Sequence, residues 1–182
     1  MNLRRFSLKP FRKEDRPDIG ISGTIRRRAD ALHLGCTVFG DLSKVVLPAP
    51  EKTRERRDRL WEETCLELFL AEKDSPRYWE FNLSPAGPWN VYRFTSYRKG
   101  MEEEPARTSL PFRVRTDAGN SLRLALDLEF GTILPPGKAI EVAVCAVLRT
   151  ATGGISHWAL AHPGPRPDFH NREGFTLAFP AG

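Results

Sequence analysis

Apolar residues recur at every second position through most of this chain and almost nowhere with helical spacing. Leu122, Leu124, Leu126, Leu128 and Phe130 form the cleanest run, with arginine, alanine, aspartate and glutamate between them. Strand side chains switch faces at each residue, so such a run has one apolar row and one wet row. Ile19, Ile21 and Ile25 alternate with small or polar residues. Leu32, Leu34, Cys36 and Val38, with Phe39 beside them, follow the turn-like Ala29-Asp30-Ala31. Leu3 to Leu8 is a candidate first strand, and Ile140 to Leu148 is apolar on nearly both faces, as a central strand would be. Ile155 to Ala161 and Phe175 to Phe179 supply two more. Turn signals at Ser84-Pro85-Ala86-Gly87, Asp117-Ala118-Gly119-Asn120, Pro135-Pro136-Gly137 and Thr152-Gly153-Gly154 separate the runs. Many short strands with frequent turns predict an all-β, two-sheet antiparallel β-sandwich or jelly roll over residues 1–182 as a single domain. Helix is confined to a turn or two around Arg54 to Glu63 and at Ser96 to Met101.

The richest stretch chemically is 60–95, LWEETCLELFLAEKDSPRYWEFNLSPAGPWNVYRFT. Leu66, Leu68 and Leu70 alternate with Glu67 and Phe69; Trp79, Phe81 and Leu83 alternate with Tyr78, Glu80, Asn82 and Ser84. If the two runs share a sheet, Glu67, Glu80 and Asn82 line one polar face with tryptophans at its margins. A carboxylate on a partly covered sheet must find donors or raise its pKa. On such a face both glutamates accept from ligand hydroxyls, while Asn82 donates and accepts. The same acids also fit a structural ion pair with Arg93 or Arg98, a solvent-facing strand, or a glycosidase acid and base. Indole rings pack on the CH faces of sugars. Trp61, at a loop edge, is the best platform; Trp79 has core parity, Trp89 opens a strand, and Trp158 suits either the core or the ligand face.

Composition narrows the field. The chain has 182 residues, 40% hydrophobic and 28% charged, ordinary values for a globular protein. A net charge of +5 comes from Arg26, Arg27, Arg28 and the EKTRERRDRL segment, but Glu51, Glu55 and Asp58 interrupt the latter, so no nucleic-acid partner is expected. No apolar window is long enough to span a membrane. MNLRRFSLKPF lacks the apolar run of a secretory leader, so a cytoplasmic, reducing compartment is expected. Cys36, Cys65 and Cys145 then read as free thiols serving as small hydrophobes.

The segment AHPGPRPDFHNREGF holds His162, Asp168 and His170, a loop group that would be the candidate ligand set for a divalent metal. A haem would take Met101 and one of these histidines as axial ligands. No CxxCH, GxSxG, Walker or GxGxxG pattern appears, and no serine or threonine has a nucleophile context.

LWEETCLELFL, then YWEFNLSPAGPWNVYRF, then Tyr97, Gly100 and Met101, and finally HWALAHPGPRPDFHNREGF, resemble the DOMON-like proteins related to family 9 carbohydrate-binding modules. The resemblance implies a two-sheet antiparallel sandwich. It places Trp61 on a stacking tryptophan and Glu67 on a hydroxyl-binding glutamate. Glu80 falls near a position where those modules carry arginine, so polarity there is reversed. The second stacking tryptophan has no counterpart, leaving Phe169 or His170 in its place. Other DOMON relatives bind haem. The resulting expectation is a non-catalytic module for a small ligand, a saccharide or sugar-like molecule, contacted by Trp61, Glu67, Tyr78, Glu80, Asn82, Arg93, Trp158, Asp168, Phe169 and His170. The alternatives are a haem-binding electron-transfer domain and an enzyme acting on a sugar-like substrate with paired glutamates.

Overall fold

The structure is a computed structural model that describes residues 2–12, 18–117 and 121–181. Its strands run β1 (Asn2–Ser7), β2 (Lys9–Pro10), β3 (Ile19–Arg28), β4 (Ala31–Gly40), β5 (Cys65–Glu72), β6 (Tyr78–Leu83) and β7 (Trp89–Phe94). They continue with β8 (Glu102–Glu103), β9 (Phe112–Asp117), β10 (Ser121–Glu129), β11 (Ile140–Arg149), β12 (Ile155–Ala159) and β13 (Leu177–Phe179). Every strand pair is antiparallel. One sheet has the order β1-β3-β4-β10-β9 and the other β2-β12-β11-β5-β6-β7-β8, with β13 beside β11. This is the two-sheet antiparallel sandwich that the period-two pattern predicts.

The core between the sheets follows from parity. Ile21, Ile25, Leu34, Val38, Leu124, Leu126 and Leu128 face inward from the first sheet. Leu66, Leu68, Leu70, Trp79, Phe81, Leu83, Val91, Val142 and Val144 meet them from the second. Where β3 crosses β4, Gly23 lies opposite Cys36, and a Cβ on Gly23 would sit 2.1 Å from the Gly35 carbonyl oxygen and 2.6 Å from the Phe6 ring. The bare backbone there lets the strands and Phe6 close together.

The second sheet has its other face covered as well. Phe69, Ala71, Tyr78, Tyr92, Phe94, Ala143, Cys145, Ala159 and Phe175 form a second apolar layer, joined by Trp61 and Phe169. β5 and β6 are consequently buried on both faces, though their polar rows read as half wet.

One sequence expectation is narrowed and two are corrected. The only helical turn within 54–63 is the 3-10 turn Leu60–Glu62; Arg56 lies in extended chain, bridged to Trp89. Residues 96–101 form a tight turn closed by Lys99 N–H to Ser96 O, because Arg98 (φ 54°) and Gly100 (φ 64°) take left-handed backbone. The strand expected from Phe175 begins at Leu177, after a 3-10 turn Arg172–Gly174. Of the expected Asp117–Asn120 turn, 118–120 lie outside the described residues. Strand β9, where Phe112 and Val114 alternate with Arg113 and Arg115, and the two-residue β2 and β8 lie outside the strands expected from the sequence. No helix among the described residues is long and apolar enough to cross a membrane.

Candidate functional site

The site grows from the β5–β6–β7 register. Glu67 pairs with Asn82, which pairs with Asn90; Phe69 pairs with Glu80, which pairs with Tyr92. Because the leucines and Trp79 take the inner row, Glu67, Glu80 and Asn82 share the outer one. On the other side β11 sets Cys145 beside Glu67, and β12 sets His157 beside Val147.

Three irregular segments roof this face. The turn before β5 carries Trp61, the β7–β8 turn carries Arg98 and Met101, and the chain after β12 carries Pro167, Phe169 and His170. Together with Glu67, Glu80, Phe94, Val147 and His157 they line a half-open cavity of about 330 Å³. That volume is near the lower end of the ~300–1,000 Å³ usual for small-molecule sites.

Polar bonds hold the roof in place. Asp168 accepts from Tyr97 Oη at 2.5 Å, from the Arg98 guanidinium at 2.8 Å and from the His170 N–H at 3.2 Å, tying two roof segments together. Tyr78 Oη accepts the Arg98 N–H at 3.1 Å and lies 2.8 Å from His170 Nδ1. The Tyr78 hydroxyl can donate to Nδ1, an assignment that puts the His170 proton on Nε2, 3.8 Å from Glu80 Oε2. Phe94 stacks on Tyr78 at 4.6 Å between ring centroids. Tyr92 Oη donates to Asp58 at 2.5 Å and accepts from Asn90 at 2.7 Å. Asp58 also accepts the N–H of Arg59, whose left-handed backbone (φ 58°) starts the turn that sets Trp61 edge-on against Tyr92.

Burial sets the electrostatics. Glu67 and Glu80 are each only 3% exposed. Desolvation, then the neighbouring Glu80 charge, pushes the Glu67 carboxyl well above its ordinary value. Desolvation carries Glu80 up to about 7 against the pull of the Asn82 amide and Arg98. The pair therefore shares protons near neutrality. Asn82 Nδ2 donates to Glu80 Oε1 at 2.8 Å, while Glu67 Oε1 has no hydrogen-bond partner among the described residues. His170 is held down to about 4 by burial and by Arg98, and is neutral at pH 7.

The sequence-predicted residues divide clearly. Trp61, Glu67, Glu80, Phe169 and His170 line the cavity. Tyr78 and Asn82 lie behind it, orienting His170 and Glu80. Asp168 is the clasp of the roof. Arg93 is elsewhere, exposed and paired with Glu102 at 2.6 Å. Trp158 is packed between the sheets, so its indole belongs to the core. His162 is turned away, with Nε2 2.9 Å from the Lys9 carbonyl, and no group of three or more metal-ligating side chains forms among the described residues. Met101 and His170 do share the cavity, but the nitrogen left for an iron faces the Glu80 carboxyl in a small space, an arrangement that does not fit haem. Sequence reasoning missed Phe94, Val147, His157 and Pro167. The first three follow from parity only once the register ties β7, β11 and β12 to Glu67.

No family model matches the chain, and no curated protein matches it. Among solved structures it is similar to a candidate carbohydrate-binding protein from Bacteroides uniformis, at 15% identity and a TM-score of 0.73, covering 94% of this chain and 84% of that one. It also aligns with a family 9 carbohydrate-binding module from Caldicellulosiruptor kristjanssonii in complex with cellotriose. That alignment has 10% identity and a TM-score of 0.49, covering 87% of this chain and 73% of the module. At these identities the first likeness carries the fold alone, and the second is too distant to carry an argument.

Proposed function

We propose that this chain is a non-catalytic binding module that holds one small polyhydroxylated ligand, a saccharide or sugar-like molecule, in the cavity beneath Trp61 and Phe169. The observation that carries the reading is the Glu67 carboxyl, buried in the cavity wall with one oxygen unpartnered and with Glu80 beside it. A buried acceptor without a donor costs about 1–3 kcal/mol, which a ligand hydroxyl would recover. In this reading Glu67 and Glu80 take ligand hydroxyls, His170 Nε2–H donates, and Trp61 with Phe169 covers the apolar face of the ring. The DOMON-like resemblance agrees with it, and so does the carbohydrate binding proposed for the Bacteroides uniformis protein. Affinity should be weak to moderate, because hydroxyl contacts largely replace contacts with water.

A thermal-shift panel of hexoses, pentoses and disaccharides tests it. A ligand at about one hundred times its Kd stabilises the native state by about 2.7 kcal/mol, or about 5–11 °C for a chain of this size. Trp61→Ala should abolish the shift while leaving the melting point of the free protein within about 2 °C, since Trp61 is only half-buried. No shift from any sugar at tens of millimolar, or an undiminished shift in Trp61→Ala, defeats the assignment.

A further inference from the structure

The cavity wall has an unbalanced charge. Two of its lining side chains are acids, and the only guanidinium among its described lining residues is that of Arg98. Asp168 already takes that guanidinium at 2.8 Å on the rim. His170 is neutral, with Nδ1 occupied by Tyr78. The other titratable groups facing the acids are Cys65 and Cys145, whose thiols burial keeps protonated, and the phenols Tyr78 and Tyr92, both raised chiefly by burial. His157 faces the cavity from β12. Among the described residues, then, neither Glu67 nor Glu80 forms an ion pair with a lysine or arginine, and Glu67 Oε1 receives no hydrogen bond.

Hydroxyl groups alone would close this space over an uncompensated carboxylate, which is costly in a dry interior. An ammonium group offers three donors and the missing charge together. The remaining walls suit a cation as well, since Trp61, Phe94 and Phe169 present π-systems that attract one.

We propose that the ligand carries a positively charged nitrogen: a small polyhydroxylated amine, an amino sugar being the simplest class, with its ammonium between Glu67 and Glu80. This rests on the saccharide reading and adds a charge to it. In the empty cavity the two carboxyls share a proton. The entering ammonium takes its place, and the proton leaves to solvent with no covalent bond made or broken. Affinity therefore rises as pH increases towards about 7, where Glu80 gives up its proton.

Calorimetry at pH 7 on the intact protein decides it, using glucosamine, galactosamine and mannosamine, each beside its parent hexose and its N-acetyl derivative. At least one amine should bind about tenfold tighter than both of its neutral partners, a difference of about 1.4 kcal/mol. Its binding should release protons, read from the dependence of the heat on the buffer's ionisation enthalpy. Glu67→Gln should reduce that preference to about threefold or less, and Glu80→Gln should do the same, so the test survives the failure of either variant to fold. Parent hexoses that bind as tightly as their amines overturn the charge inference and leave the saccharide reading standing. Binding of 1,3-diaminopropane without any amino sugar overturns both the polyhydroxyl requirement and the saccharide reading. Silence across the panel, diamine included, overturns both as well.

Discussion

Replacing Glu80 by glutamine should make the free protein more stable, and only above pH 5. Burial lifts the Glu80 carboxyl from 4.5 to about 7 in the folded chain. Between those values the native state holds a proton that the unfolded chain has lost. Stability is therefore complete below 4.5 and falls as pH rises through 7. At about 1.4 kcal/mol per pH unit, the loss reaches about 3 kcal/mol by pH 8. Glutamine keeps an oxygen for the Asn82 amide and cannot ionise. It also relieves Glu67 of a neighbouring charge, which acts in the same direction. Melting curves of wild type and Glu80→Gln from pH 4 to 8 should converge at the acid end. They should separate to about 6–12 °C in the variant's favour at pH 8, using about 2–4 °C per kcal/mol. Taking the difference cancels titrations common to both proteins. Parallel curves would refute the reasoning. A variant losing ground as pH rises would show instead that Glu80 pairs with a protonated His170.

Three further outcomes follow from other parts of the structure. Asp168→Ala removes the acceptor for Tyr97, Arg98 and the His170 N–H, so amide exchange at Arg98 and His170 should quicken about tenfold or more while β5 amides keep their protection; unchanged exchange would show that the roof holds without its clasp. Cys36, Cys65 and Cys145 are buried with thiol pKa values pushed up, that of Cys36 to about 12, so Ellman's reagent should titrate none in the native protein and all three after guanidinium unfolding. Gly23→Ala would drive a methyl against the Gly35 carbonyl and the Phe6 ring, costing about 1–3 kcal/mol in urea denaturation; an unshifted midpoint would mean that β3 and β4 part more easily than their spacing implies.

The alternation in 60–95 was legible because it is a local property. Once Leu66, Leu68 and Trp79 are inward, Glu67, Glu80 and Asn82 must point the other way, whatever lies beyond them. The same logic misplaced Trp158 only by leaving it open: ISHWALA has one inward row, and without knowing that β12 lies beside β11 nothing says whether it holds Trp158 or His157. Arg93 shows the converse, a polar residue at core parity that escapes burial because β8 beside it is two residues long and lets it reach Glu102. Asp168 and His162 sit in a proline-rich loop without periodicity, so nothing local reveals that one clasps the roof and the other turns to Lys9.

What the amino-acid order settles by itself is which side chains share a row, since backbone sterics set a two-residue period within each strand. What lies above a row is settled by contacts between residues far apart in the chain. Phe169 and His170 approach Glu67 and Glu80 only after β11 and β12 have paired and the chain has folded back over them. That distant cover removes water from the two acids, and removing water is what changes their affinity for protons and leaves Glu67 Oε1 without a donor. Strand parity put the carboxyls side by side, and only the folded chain made them a buried pair.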